Sequence, residues 1–277
     1  MATIDQYALD RSYSAASRLN YQFYLWKNTL KFNLHPSIPT PSATGRIADV
    51  ATGTGIWLLD LAHEVPTTVR MDGLDITLSQ TPPKQWLPPN INMRVWNIFT
   101  DLPEDLVGQF DIVHVRLLLL VIPDNDAVPV IKRLATMLKP GGYLQWEELS
   151  GFDHRVVTVS PAVNTSAFQE MHKLMDGHGR LEWTLRLPSS MSENGFEDAD
   201  IHRYEDGMDL AKAHSDMLLV MLKEYAAGFA KSERGEEAGE MQRLIQHIHA
   251  ESLEGAAMYV PKIVCVGRKK LDGAEAV

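Results

Sequence analysis

DVATGTGIW, Asp49 to Trp57, is the stretch that decides the fold. Arg46 to Val50 leads into it as a short strand, and Ile56 to Glu64 leaves it with the apolar spacing of a helix. Between them, Gly53 and Gly55 have no Cβ, so the chain can turn sharply and a ligand can come close to the backbone. The N–H groups that open the following helix face such a ligand. The pattern is D-x-A-x-G-x-G, without the third glycine of the dinucleotide fingerprint.

Working outward, the alternation continues. Val69 to Leu74, Ile91 to Trp96 and Phe110 to Val115 read as strands, and Asp126 to Leu138 as a helix. Pro140, Gly141 and Gly142 then turn the chain into a fifth strand, Tyr143 to Glu147. Strands alternating with helices predict a parallel sheet covered on both faces. Further along, Ala162 to Asp176, Leu210 to Ala230 and Glu236 to Leu253 have helical patterns. Ile201 to Tyr204 and Tyr259 to Gly267 read as a sixth and a final strand, and the run SERGEEAGE near 232–240 as a solvated loop. The expected fold class is α/β, a Rossmann-like, doubly wound, seven-stranded mixed sheet. Residues 1–45 form a helical N-terminal lid, 46–150 the core, 151–270 helical cap insertions plus the last two strands of the same domain, and 271–277 a frayed tail.

The chain has 277 residues and is 45% hydrophobic, enough for a substantial core. A net charge of -10 argues against a nucleic-acid partner, which would need clustered Lys and Arg. One cysteine, Cys265, allows no internal disulfide and fits a reducing compartment. No signal peptide is seen, and the apolar run from Val113 to Pro123 is too short to span a bilayer. A cytoplasmic protein with a small-molecule substrate is expected, with neither a nucleic-acid nor a membrane partner and no metal; a homodimer is left open.

The absent third glycine turns the reading away from a nicotinamide dinucleotide and towards S-adenosylmethionine (SAM), which has no pyrophosphate to cradle. Asp75, ending the second strand 20 residues after Gly55, is placed to accept hydrogen bonds from ribose hydroxyls. Asn97 and Ile98, after the third strand, are expected at adenine, the amide on its amino group and Ile98 on its ring. Trp146, Glu147 and Glu148 leave the fifth strand at the sheet's carboxyl edge, where ligands bind in open α/β folds.

RIADVATGTGIWLLDLA, DGLDITLSQTPPKQWLPPNI, DIVHVRLLLLVI and MLKPGGYLQWEEL together resemble the fungal small-molecule methyltransferases related to LaeA and the UMTA-type proteins. Residues 18–39 resemble the same family's segment before the glycine loop. The resemblance is close over about residues 10–150 and holds beyond them only in layout. It implies a SAM-dependent methyltransferase with Tyr24, Asp49, Ala51, Thr52, Gly53, Gly55, Trp57, Asp75, Ile76, Asn97, Ile98, Arg116 and Leu117 around the cofactor. The family commonly has Gly where this chain has Ala51, a methyl that a negative φ would accommodate. It commonly has Asp where this chain has Asn97.

Methyl transfer asks mainly for alignment, because the sulfonium is already activated. A general base helps when the acceptor is a hydroxyl, an acid or a protonated amine. Glu147 is a candidate for base or substrate-orienting group, with structural hydrogen bonding as the alternative, and His172 and His178 are expected in the segment covering the site. Tyr13, Tyr21, Trp146 and Met175 are the expected substrate contacts, and the N-terminal aromatics a lid. His114 reads as a core or helix-facing histidine, and Arg116 as either a pocket residue or a salt bridge. The leading expectation is methylation of an O or N atom of a small molecule, a fungal secondary metabolite. A non-methylating cyclase or pericyclase on the same fold and a LaeA-like regulatory protein are the alternatives.

Overall fold

A computed structural model describes residues 9–150, 154–176, 182–231 and 234–271. His178, residues 1–8 of the expected lid and residues 272–277 of the expected tail lie outside the described residues.

Seven strands form one sheet in the order β3-β2-β1-β4-β5-β9-β7. They are β1 (Arg46–Val50), β2 (Arg70–Asp75), β3 (Ile91–Val95), β4 (Phe110–Arg116), β5 (Leu138–Leu149), β7 (Phe196–Tyr204) and β9 (Lys262–Lys269). The first five pair in parallel, and β9 runs antiparallel to both its neighbours. The chain winds from β1 outward to β3 and then returns to β4 on the other side of β1. The carboxyl ends of β1 and β4 therefore flank the topological switch point, where a crevice opens in such sheets.

Periodicity explains the layers. β1, β2 and β4 are buried along nearly their whole length, as strands covered on both faces must be. On one face Val50, Leu74, Val113, Leu144 and Trp146 pack with α3 (Val128–Met137) and α5 (Leu187–Glu193). On the other, Ile47, Met71, Ile112 and Val264 pack with α1 (Tyr13–Leu30) and α2 (Ile56–Leu61). A third cluster joins α4 (Ser166–Asp176), α6 (Ala211–Ala230) and α7 (Gly235–Leu253) over a small sheet of β6 (Arg155–Thr158) and β8 (Ala256–Tyr259).

Several features differ from the sequence reading, among them the start of the sixth strand, which is Phe196 and not Ile201. The expected last strand, Tyr259 to Gly267, is divided: β8 ends at Tyr259 and β9 begins at Lys262, because Pro261 cannot donate to a ladder and restrains the residue before it. The Pro-Gly-Gly turn lies inside β5, where the pairing with β4 slips between Phe110 and Ile112. A Cβ on Gly142 would come within 3.0 Å of the Asp111 and Lys139 carbonyl oxygens, so the slip needs glycine there. Within the run SERGEEAGE, Gly235 to Glu240 form the first turns of α7 rather than a loop. The N-terminal region is one helix of 18 residues, capped by the Ser12 hydroxyl.

Candidate functional site

The glycine loop turns through three left-handed residues, Ala51 (φ 58°), Gly53 (φ 58°) and Gly55 (φ 76°). Ala51 does not adopt the negative φ that would accommodate its methyl: the side chain sits where L-residues are strained, at a cost of about 1 kcal/mol. The loop is held from within. Thr52 N–H donates to the Leu74 carbonyl at 3.1 Å, and Gly55 N–H to the Thr52 carbonyl at 2.9 Å. The Thr52 hydroxyl donates to Asp49 Oδ2 at 2.6 Å.

Asp75 closes the loop from the next strand. Its Oδ2 accepts the Gly53 N–H at 2.9 Å, and its Oδ1 accepts the Thr77 N–H at 3.3 Å. The carboxyl is turned into the fold, not out into solvent. Burial pushes its pKa up, against the two N–H donors and the positive charge of Arg11. A carboxylate has about four lone-pair positions, so two remain for further donors such as vicinal hydroxyls. Ala51, Gly53, Asp75, Ile76, Asn97, Arg116 and Leu117 all stay partly accessible at this edge. A polar, accessible edge with a spare carboxylate acceptor and a close-approach backbone fits a nucleoside with an amino-acid tail.

Several expected cofactor contacts are placed elsewhere. Trp57 is 3% exposed and its ring stacks on His114, 3.9 Å between centroids and 3° from parallel, so it supports the site from the core. Asp49 is buried against Thr52 and His114. Ile98 is buried in the α3-side core with Trp96, facing inward rather than onto a ligand. Asn97 Oδ1 accepts the Phe99 N–H at 2.9 Å, so its carbonyl is partly committed to shaping its own turn. Leu117 is another left-handed residue, φ 55°, at the end of β4.

On the expected acceptor side, Glu147 is fully buried with both oxygens engaged. Oε2 accepts Arg116 Nε at 2.7 Å, and Oε1 accepts Gln145 Nε2 at 2.7 Å. Burial would raise its pKa, but Arg116 and His114 overcome this and hold it at about 2. A weakly basic, enclosed carboxylate positions its neighbours; it does not take a proton from substrate. Trp146 is likewise fully buried, edge-on to Trp183, and belongs to the core. His172 Nε2 lies 2.9 Å from the His154 carbonyl, and Met175 packs against the α4–α6–α7 cluster.

The expected N-terminal lid corresponds to α1. α1 does lie over the loop: Thr54 Oγ1 donates to Asn20 Oδ1 at 2.6 Å, and a Cβ on Gly53 would find Leu19 Cδ1 at 3.5 Å. The expected tyrosines, however, face away. Tyr13, Tyr21 and Tyr24 are 89%, 44% and 56% exposed, whereas Phe23 and Trp26 are buried, each ring 5.3 Å from the Arg116 guanidinium. Trp26 belongs to the expected lid, whereas Leu19, Asn20, Phe23 and Arg11 are not among the expected site residues. The sequence carries a signal for three of these: Leu19 and Phe23 recur with Trp26 and Leu30 at four, three and four, one face of a helix, with Asn20 beside it.

Residues 47–142 match the family described as methyltransferase domain. A methyltransferase from Penicillium, grgD, is 36% identical over 169 residues, covering 58% of this chain and 57% of the relative. An N-methyltransferase from Claviceps purpurea, tcpN, is 34% identical over 151 residues, 53% of each chain. The chain thus spans little more than half the length of these curated relatives. Among solved structures, a chain of the complex between the Haloferax volcanii Trm112 methyltransferase activator and a methyltransferase superposes with a TM-score of 0.53 at 15% identity. That match covers 97% of this chain and 100% of the other, and it shows the shared fold alone.

Proposed function

We propose that this chain is a member of the fungal class I SAM methyltransferases, and that it transfers a methyl group from SAM to an O or N atom of a small molecule; the methyltransferase-domain match and the fungal relatives support this reading. The observation that carries this reading is the Gly53 N–H held on Asp75, which brings the close-approach loop and the carboxylate to one edge of the switch-point crevice.

Bound there, SAM would supply an activated methyl on a sulfonium. The chain's own part is binding and alignment. Asp75 would receive the ribose hydroxyls, and Ala51 to Gly55 would lie along the amino-acid end. Ile76 and Asn97 would border the base, and Arg116 and Leu117 would line the edge where an acceptor approaches. α1 covers the loop and excludes water. Neither Arg116 nor Leu117, at the acceptor edge, is a base, which suits a neutral amine that loses its proton to solvent after transfer.

The net charge of -10 speaks for a small molecule over nucleic acid as the partner. Among the described residues no helix is long and apolar enough to cross a membrane. The single cysteine is buried, and its thiol is pushed to a high pKa by burial, so a reducing cytoplasm is the proposed compartment. The test is incubation with methyl-labelled SAM and a panel of small heterocyclic amines, phenols and alcohols. Label is expected in a small-molecule product; SAM binding with no labelled product across the panel would overturn the transfer reading.

A further inference from the structure

Beneath the loop, the buried side chains of Asp49, His114 and Glu147 form a row with the partly buried Arg116 across three neighbouring strands. His114 Nδ1 is 2.7 Å from Asp49 Oδ1, and its Nε2 is 3.3 Å from Glu147 Oε1. Glu147 Oε2 accepts from Arg116 Nε at 2.7 Å. The register sets this up, pairing Asp49 with His114 across β1 and β4, and Arg116 with Glu147 across β4 and β5. Each end of the row reaches the crevice: Asp49 receives the Thr52 hydroxyl of the loop, and Arg116 sits under Phe23 and Trp26 of α1.

We propose that His114 is a positioning residue for the cofactor: its ring, held between two carboxylates, fixes the Thr52 end of the loop and the Arg116 guanidinium together. The inference rests on the reading of this crevice as the SAM site and adds how the site is held.

Charge balance supports it. Two buried carboxylates beside one arginine leave an unpaired negative charge, which low-dielectric surroundings penalise heavily. An imidazolium at His114 makes the row two negative and two positive. Burial alone would lower the pKa of His114, but Glu147 and Asp49 raise it above its ordinary value. Nδ1 has a well-placed partner; Nε2 faces Glu147 at ion-pair distance without good hydrogen-bond alignment. Trp57 stacks flat on the ring and leaves it no room to rotate. His35 and Tyr204 also feel the Glu147 charge, and Gln145 ties Glu147 to the Asn33 and His35 backbone. A displaced His114 would therefore free both ends of the row at once.

The test uses S-adenosylhomocysteine (SAH) binding by calorimetry. His114→Phe keeps a flat ring against Trp57 and removes both ring N–H groups. It is expected to weaken SAH binding about tenfold or more while cooperative unfolding is retained. Thr52→Val, which removes only the hydroxyl facing Asp49, is expected to weaken it several-fold. Side-chain 15N spectra of the unmodified protein should show His114 with both nitrogens protonated and both signals shifting when SAH is added, with His214, in a separate cluster, unmoved.

A folded His114→Phe that binds SAH within about twofold of the unmodified protein overturns the proposal. If that variant does not fold, His114 signals that are singly protonated or indifferent to SAH overturn it instead. Failure of the unmodified protein to bind SAH is a different result, and removes the cofactor reading with everything built on it.

Discussion

Replacing Glu148 with Gln should stabilise the protein at neutral pH and remove a specific part of its pH dependence. Glu148 is fully buried on the α3 side of β5. Burial pushes its carboxyl from the usual 4.5 up to about 8, although the Trp146 indole and the N–H groups of Leu118, Leu149 and Leu119 pull the other way. One oxygen, Oε2, has no partner. A carboxyl whose pKa is raised on folding holds its proton more tightly in the folded state. It imposes no penalty below about pH 4.5, an increasing penalty as pH rises, and a constant one above about pH 8. At about 1.36 kcal/mol per pKa unit, the penalty at pH 7 is about 3 kcal/mol. Glutamine has no such term, but its amide donor would replace the unpartnered Oε2 at a cost of about 1 kcal/mol. The net gain is about 2 kcal/mol at pH 7 and near zero at pH 5. Urea unfolding of both proteins between about pH 5 and pH 8 should show the stability difference widening by about 3 kcal/mol. Parallel profiles across that range would refute the reasoning, because they would mean the carboxyl titrates alike in folded and unfolded chains.

Ala51→Gly should raise stability by up to about 1 kcal/mol, since it relieves a left-handed alanine; a lower melting temperature would count against the strain assigned to that turn. Gly55→Ala should act in the opposite direction. Its φ is 76°, and the new Cβ would lie 2.5 Å from Met93 Cε, so a drop in melting temperature of a few degrees is expected by calorimetry. Lys262→Met should cost about 3 kcal/mol, because it leaves Asp206 buried without the ammonium that now sits 2.6 Å from it. Adding Asp206→Asn should return most of that loss in a double-mutant cycle, and additive losses would show that the pair is not coupled.

What the sequence made legible was local. The strand–glycine turn–helix unit and the acid after β2 read correctly because each is set by a few adjacent residues: Gly53 and Gly55 by their φ, Asp75 by its place at a strand end. The small sheet was not legible. β6 has only four residues, Arg155 to Thr158, and its partner β8 is about a hundred residues away, so no local pattern marks the pairing. The acceptor-side residues were misplaced for a related reason. Trp146 and Glu147 do leave β5 at the right edge, but the pleat sends Trp146 into the α3-side core and Glu147 into the row with His114 and Arg116. On α1, the aromatic content of the sequence puts Tyr13, Tyr21, Tyr24 and Trp26 together in the expected lid. The helical phase decides otherwise: Trp26 is two residues, about 200°, from Tyr24, so burying one exposes the other.

Titrating SAH into the unmodified protein and into Asp75→Ala, under identical conditions, tests the central claim most directly. The account predicts clear saturable binding to the first and a loss of about thirtyfold in affinity in the second, the worth of about 2 kcal/mol of hydrogen bonding to a charged group. Equal affinities, in two proteins that both unfold cooperatively, would contradict it.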